Sequence, residues 1–174
     1  QSIVERNGGR NVFMPNQDGT IGETASAWIA GLLKHAHETC LITTPTINGY
    51  RRYQAYQLAP NRIQWAYDNR GAMIRALMQP GDAASRIENR VAEPTANPYL
   101  FFASQIIAGM DGIARDLSAP DAVEDPYDND AAALPDSLLA AVEAFHASAL
   151  YRAAFGDGFV DYLCQIRRAE WDRY

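Results

Sequence analysis

The stretch that opens at Asn97-Pro98 and runs to about Leu117 constrains the fold more than any other. Asn97 is a residue type whose side chain caps exposed N–H groups, and proline fits the first helical position, so a helix starts here. Tyr99, Leu100, Phe102, Ile106, Ile107, Met110 and Ile113 then occupy most of its girth. A helix apolar all round is expected at the centre of a molecule, with other elements packed about it. Ala108-Gly109 and Gly112 permit close approach of a neighbour, at some cost in helix propensity.

The neighbours are legible by period. Trp28, Ile29, Leu32, Leu33, Ala36 and Cys40 recur at three- and four-residue spacing, predicting one helix from about Glu23 to Leu41. His35 falls close to its apolar stripe and is expected as a packed, hydrogen-bonded histidine; His37 lies nearby. Leu134-Pro135-Asp136 opens a further helix carrying Leu138, Leu139, Val142 and Phe145. A last one starts near Gly158, with Phe159, Tyr162, Leu163 and Ile166 expected inward and Arg167, Arg168, Glu170 and Asp172 outward. Asn7-Gly8-Gly9 and Asp18-Gly19 are turn signals around a short apolar strand, Val12-Phe13-Met14.

Between Thr44-Pro45 and Pro94 the pattern changes to alternation. Residues 62–67 and 85–91 read as half-buried strands. The second sets Arg86, Glu88 and Arg90 on one face and Ile87, Asn89 and Val91 on the other. Pro80-Gly81-Asp82 joins it to the strand before. One α+β domain with an antiparallel sheet and packed helices follows.

Charge is distributed unevenly across this plan. The 174-residue chain carries −6, which argues against nucleic acid or an anionic membrane as the main partner. Residues 51–90 nevertheless hold seven arginines against Asp68, Asp82 and Glu88, so this window is +4 and the remainder −10. All seven bases are arginine, while the only lysine, Lys34, lies elsewhere. Arginine suits planar, bidentate contact with carboxylate or phosphate. An anion site and a plain salt-bridged strand face both account for this pattern. Cys40 and Cys164 are far apart in apolar contexts and are expected as reduced, buried thiols of a cytoplasmic protein. No apolar run reaches the length of a membrane span. An opening on Gln1 rather than methionine is expected of a processed or truncated chain.

The motifs, taken in order, give a resemblance. Gln1-Ser2-Ile3, Gly31-Leu32-Leu33-Lys34-His35-Ala36, Pro45-Thr46-Ile47-Asn48-Gly49-Tyr50-Arg51-Arg52, Ala59-Pro60 and Asp68-Asn69-Arg70 come first. Arg86-Ile87-Glu88-Asn89-Arg90, Ala96-Asn97-Pro98-Tyr99-Leu100 and Ala108-Gly109-Met110-Asp111-Gly112-Ile113 follow. The set resembles the C-terminal half of the catalytic, creatine kinase-like domain of the glutamine synthetase family, over residues 1 to about 170.

The resemblance implies an ATP-dependent ligase that phosphorylates the γ-carboxylate of glutamate and lets an amine displace the phosphate. It implies ATP and Mg²⁺ or Mn²⁺ as cofactors and a homo-oligomeric ring, a dodecamer, with shared active sites. By motif, Arg52 is similar to the arginine that pairs with the glutamate carboxylate. Arg70 and Arg75 match the pair at the transferring phosphoryl group, Arg75 also touching nucleotide. Ser2 and Arg86 match nucleotide-binding positions, Glu88 a metal ligand, and Arg90 an arginine of the substrate and phosphate region. Arg70 and Arg75 lie five positions apart, so a regular strand would split them between faces, and a bulge at Gly71 is expected.

Three departures sharpen the expectation. The family's His-x-His motif, its other metal-binding glutamates and its N-terminal β-grasp domain lie upstream of Gln1 in relatives. The chain alone is therefore expected to be inactive and to leave exposed a sheet edge and helix faces that the missing half covers. Leu58, beside Gln57, stands where glutamine synthetases carry the loop glutamate that attracts ammonium and takes its proton. An apolar side chain can do neither. A γ-glutamyl-amine ligase acting on an amine larger than ammonia is expected; a glutamine synthetase using ammonia and a non-catalytic relative are the alternatives. Tyr127 falls where some bacterial members are adenylylated.

Overall fold

The computed structural model describes residues 1–53 and 59–174. Among the described residues six α-helices and a small sheet make an α+β fold: α1 (Glu23–Lys34), α2 (Ala36–Thr43), β1 (Trp65–Tyr67), β2 (Ile74–Leu77), β3 (Arg86–Asn89), α3 (Pro98–Ala114), α4 (Leu138–His146), α5 (Ala149–Phe155) and α6 (Asp157–Trp171). A 3-10 turn at Ile47–Arg52 leads out of α2. No helix among the described residues is long and apolar enough to cross a membrane.

α3 begins as the sequence predicts. The Asn97 side chain accepts hydrogen bonds from the backbone N–H of Tyr99 (3.0 Å) and Leu100 (3.2 Å), with Pro98 inside the first turn. Its burial differs from the expectation. The covered face consists of Ser104, Gln105, Ala108, Gly109 and Gly112, while Tyr99, Phe102, Ile106 and Met110 are 82%, 59%, 57% and 49% exposed. α3 is thus packed on its small-residue side and bare on its large one. The reason lies in the neighbour: α1 presses its backbone against Gly112 and the Trp28 ring against Gly109. That closeness is available only on the face without bulk. Trp28 also packs on the fully buried Phe13, ring centroids 5.6 Å apart. Around Phe13 the expected strand is reduced to an isolated Val4–Asn11 bridge.

The helix expected to continue to Leu41 breaks at His35, which ends α1 and precedes α2. Its ring is held by Glu38 on one nitrogen and by Asp111 Oδ2, 2.8 Å away, on the other. That pair of contacts ties the break to α3.

The sheet has order β1-β2-β3 and is mixed rather than antiparallel throughout. β2 and β3 pair antiparallel, but β1 and β2 run parallel because residues 68–73 turn the chain back to the start of β1. β3, on the sheet's edge, also exchanges backbone bonds with the N-terminal segment: Ile87 N–H donates to the Gln1 carbonyl at 2.9 Å, and Gln1 nitrogen donates to that of Ile87 at 2.7 Å.

α2, α4 and α6 form the other half of the core. α5 carries Tyr151, which is fully buried and stacked on Phe145, and the Tyr151 hydroxyl meets that of Thr39 at 2.6 Å. In α6 the expected faces are shifted. Val160 and Cys164 are buried, Tyr162 and Ile166 exposed. Arg167 and Glu170, expected outward, pair at 3.0 Å, and Glu170 also accepts from the Ile47 N–H at 3.0 Å. That bond fixes the start of the turn that carries Arg51 and Arg52. Cys40 and Cys164 are free and buried, and burial pushes the Cys40 thiol up to about 12.

Candidate active site

Antiparallel register sets Arg75 of β2 directly opposite Glu88 of β3, and Leu77 opposite Arg86. Alternation puts Arg75, Glu88 and Arg86 on one face, as the sequence predicts for the β3 pair. Arg75 Nη1 donates to Glu88 Oε2 at 3.2 Å, and Arg86 Nε to Glu88 Oε1 at 3.3 Å. On its other edge Arg75 donates from Nε to Asp68 Oδ1 at 3.0 Å, and Nη2 meets the same oxygen. The result is a row of alternating charge: Asp68, Arg75, Glu88, Arg86. Hydrogen bonds to Asp68 first, and to Glu88 as well, raise the pKa of Arg75 above an ordinary arginine's.

The other expected residues gather around this row. Arg90 donates from Nε to the Arg70 carbonyl at 2.9 Å, which holds the turn after β1 against the end of β3. Arg70 belongs to that turn and not to a strand, so no bulge is needed; the Asn69 side chain accepts from Gly71 N–H at 2.9 Å and closes the bend. The Tyr127 ring lies against Gly71, about where a Cβ would stand 3.0 Å from it. The Arg70 guanidinium makes no hydrogen bond or ion pair among the described residues and faces solvent. Arg52 Nη1 donates to the Val91 carbonyl at 3.3 Å, placing it beside Arg90. Gln1 and Ile87 exchange both backbone bonds, the mark of an antiparallel pair, which brings the segment that carries Ser2 to the edge of β3. Leu58 lies outside the described residues.

A polar network behind β3 holds this face. Gln105 of α3 is buried, and its Oε1 accepts from Asn89 Nδ2 and from Gln1 Nε2, both at 2.9 Å. Gln1 Oε1 in turn accepts from Trp28 Nε1 at 2.9 Å. Asn89 thus anchors the strand from its inner side while Glu88 points outward. Sequence reasoning assigned no role to Gln105 or Asp68. A glutamine on a helix face otherwise lined by Ala and Gly was the available signal for the first; for the second it was an acid closing β1.

The site is rich in guanidinium and poor in carboxylate, as a phosphate- and carboxylate-binding face should be. Among the described residues no cluster of three or more His, Cys, Asp or Glu is placed to hold a metal ion. Glu88 is a hard oxygen donor suited to one coordination position of Mg²⁺ or Mn²⁺, not to a complete site.

The chain belongs to the glutamine synthetase family: the model of its catalytic domain matches residues 1–174. It is 43% identical over 175 residues to the γ-glutamylanilide synthase of an Acinetobacter species, covering all of this chain and 35% of that one. It is 37% identical over 163 residues to the glutamine synthetase of Methanocaldococcus jannaschii, covering 88% of this chain and 36% of the relative. A solved structure of apo GmaS superposes with TM-score 0.84 at 30% identity, and a GmaS/ADP complex with 0.83 at 29%. Each covers 97% of this chain, which spans 39% and 40% of the two solved chains. The chain therefore corresponds to under half the length of the relatives it matches.

Proposed function

We propose that this chain supplies the phosphoryl- and glutamate-handling face of an ATP-dependent ligase that joins an amine to the γ-carboxylate of glutamate. The observation that carries the reading is the single outward face on which Arg75, Glu88 and Arg86 meet, with Arg70, Arg90 and Arg52 gathered at its end. Family membership and the likeness to an ADP-bound GmaS support it.

In the first step a γ-carboxylate oxygen of glutamate attacks the terminal phosphorus of ATP, and the bond to the ADP oxygen breaks. In the second, the amine nitrogen attacks the acyl carbon of γ-glutamyl phosphate, phosphate leaves, and the nitrogen loses a proton. Negative charge accumulates on the transferring oxygens, where fixed guanidiniums stabilise it without reorganising. Arg70 and Arg75 do this at the phosphoryl group. Ser2 and Arg86 hold the nucleotide, Arg52 the glutamate carboxylate, and Arg90 the substrate beside Arg70. Glu88 would hold one position on a divalent cation, which when bound would draw charge from the phosphate oxygens. The remaining ligands come from outside these residues, so the 174-residue chain is inactive by itself and works within a larger ring-shaped assembly.

The amine is larger or more apolar than ammonia. Leu58 removes the acid that ammonium requires, and the Acinetobacter relative is named for an anilide. Ammonia is the second reading, supported by the glutamine synthetases among the relatives. The test is a chimaera in which this chain replaces the matching 175 residues of the Acinetobacter enzyme. It is given ATP, Mg²⁺, glutamate and, in turn, ammonia, methylamine, putrescine and aniline, and the amides are read by mass spectrometry. An alkyl- or arylamide as main product supports the reading. Preference for ammonia refutes the amine assignment, and no ATP-dependent product with any amine refutes the ligase.

A further inference from the structure

We infer that Asp68 is a positioning residue that holds the Arg75 guanidinium in place independently of Glu88; this rests on the ligase reading above. Arg75 is shared between two carboxylates, one on each edge of its planar fork. Glu88 is itself divided, Oε2 accepting from Arg75 and Oε1 from Arg86, so it holds Arg75 through one N–H at 3.2 Å while Asp68 takes two. Two N–H groups on the Nε edge converge on Asp68 Oδ1, which fixes the plane of the fork and leaves the Nη1 edge turned toward Glu88 and the phosphoryl group.

The backbone at Asp68 is shaped for this task. Its φ of 41° lies in the left-handed region, sparsely used by residues other than glycine, asparagine and aspartate. Its N–H still donates to the Ala76 carbonyl at 3.0 Å, so the residue leaves the strand while tethered to it. The side chain thereby comes in from solvent, 70% exposed, over a guanidinium that is itself only 14% exposed. Asparagine or glycine would occupy this conformation equally well, so what aspartate adds is its charge.

That equivalence gives the experiment. Asp68→Asn keeps length and left-handed tolerance but removes the charge, and Asp68→Gly relieves the backbone while removing the side chain. In the ¹⁵N-arginine-labelled chain, hydrogen exchange at Arg75 Nε–H is expected to quicken at least tenfold in both variants and to stay within twofold of wild type in Glu88→Gln. In the ligase assay with the matched variants, kcat is expected to fall at least tenfold with KM for glutamate within twofold of wild type. Unchanged Arg75 exchange in Asp68→Asn overturns the clamp. Quickened exchange with unchanged kcat overturns its role in positioning. A chimaera carrying the unaltered chain but without ligase activity defeats the ligase reading and with it the positioning role, while the exchange still reports which carboxylate holds Arg75.

Discussion

Gly31 of α1 and Gly112 of α3 face each other at backbone contact. A Cβ on Gly31 would stand 2.1 Å from the Ala108 carbonyl oxygen and 2.9 Å from the Gly112 nitrogen, and one on Gly112 would stand 2.1 Å from the Ala27 carbonyl oxygen. No side chain can swing away to make room, because the obstructing atoms are main chain. The spacing of the whole helix pair, and through Gln105 the seat of β3, depends on these two missing methyl groups.

Gly31→Ala and Gly112→Ala are each expected to cost about 3 kcal/mol, at the upper end of overpacking penalties, since two helices must separate. Gly158→Ala in α6 meets nothing within 4 Å and is expected to stabilise by about 0.5 kcal/mol through the unfolded chain. Urea midpoints of the three variants check both signs.

His35 makes a pH prediction. Burial opposes its charged form, but hydrogen bonds to Glu38 and Asp111 outweigh it, so its pKa lies above the ordinary histidine value. The doubly held imidazolium therefore contributes stability fully below about pH 6.5, and loses it as pH rises through the folded-state value. The stability gap between wild type and His35→Gln is expected to be widest at pH 6 and to narrow toward pH 9. A gap that stays constant or widens over that range would show that the ring does not act as a cation.

The two faces of α3 yield a third expectation. Replacing Phe102 and Ile106 by serine should change stability by only about 1–2 kcal/mol in total, because each residue is already more than half exposed. If α3 were central, as its composition suggests, the pair would cost several times more, about 2–5 kcal/mol for each large residue removed. Thermal or urea unfolding of the double variant separates the two.

How much of this was legible in the sequence follows from the kind of signal each feature leaves. The α1 stripe and the Arg86–Glu88 alternation are local periodicities, and both are found in place. The cap at Asn97 is a local chemical signal and also holds. What period cannot show is which side of an all-apolar helix is covered, since the neighbour decides that; here Gly31 and Trp28 chose the small side of α3. Nor can it show the break at His35, made by Asp111 from 76 residues away. A bulge between Arg70 and Arg75 is needed only in a continuous strand, whereas Arg70 sits in the turn. Asp68 was visible as a residue but not as a partner, because its contact depends on the turn bringing β2 back beside β1.

The proposed amine specificity makes a prediction at one position named by the sequence, although Leu58 lies outside the described residues. If an apolar side chain there is what disfavours ammonia, Leu58→Glu should restore an anion that attracts ammonium and accepts its proton as nitrogen attacks the acyl phosphate. A positioned base contributes roughly 100-fold or more, but a single graft without its surroundings recovers only part, so about a tenfold rise in kcat/KM for ammonia is expected. For an alkylamine the new charge adds a polar group to an apolar seat, and kcat/KM is expected to fall, so the ratio of the two reads the change without dependence on protein yield. Parallel steady-state assays with ammonia and methylamine in the chimaera provide it. A Leu58→Glu enzyme with an unaltered ratio would mean that specificity is set outside this loop, and the case for a larger amine would then rest on likeness to the anilide enzyme alone.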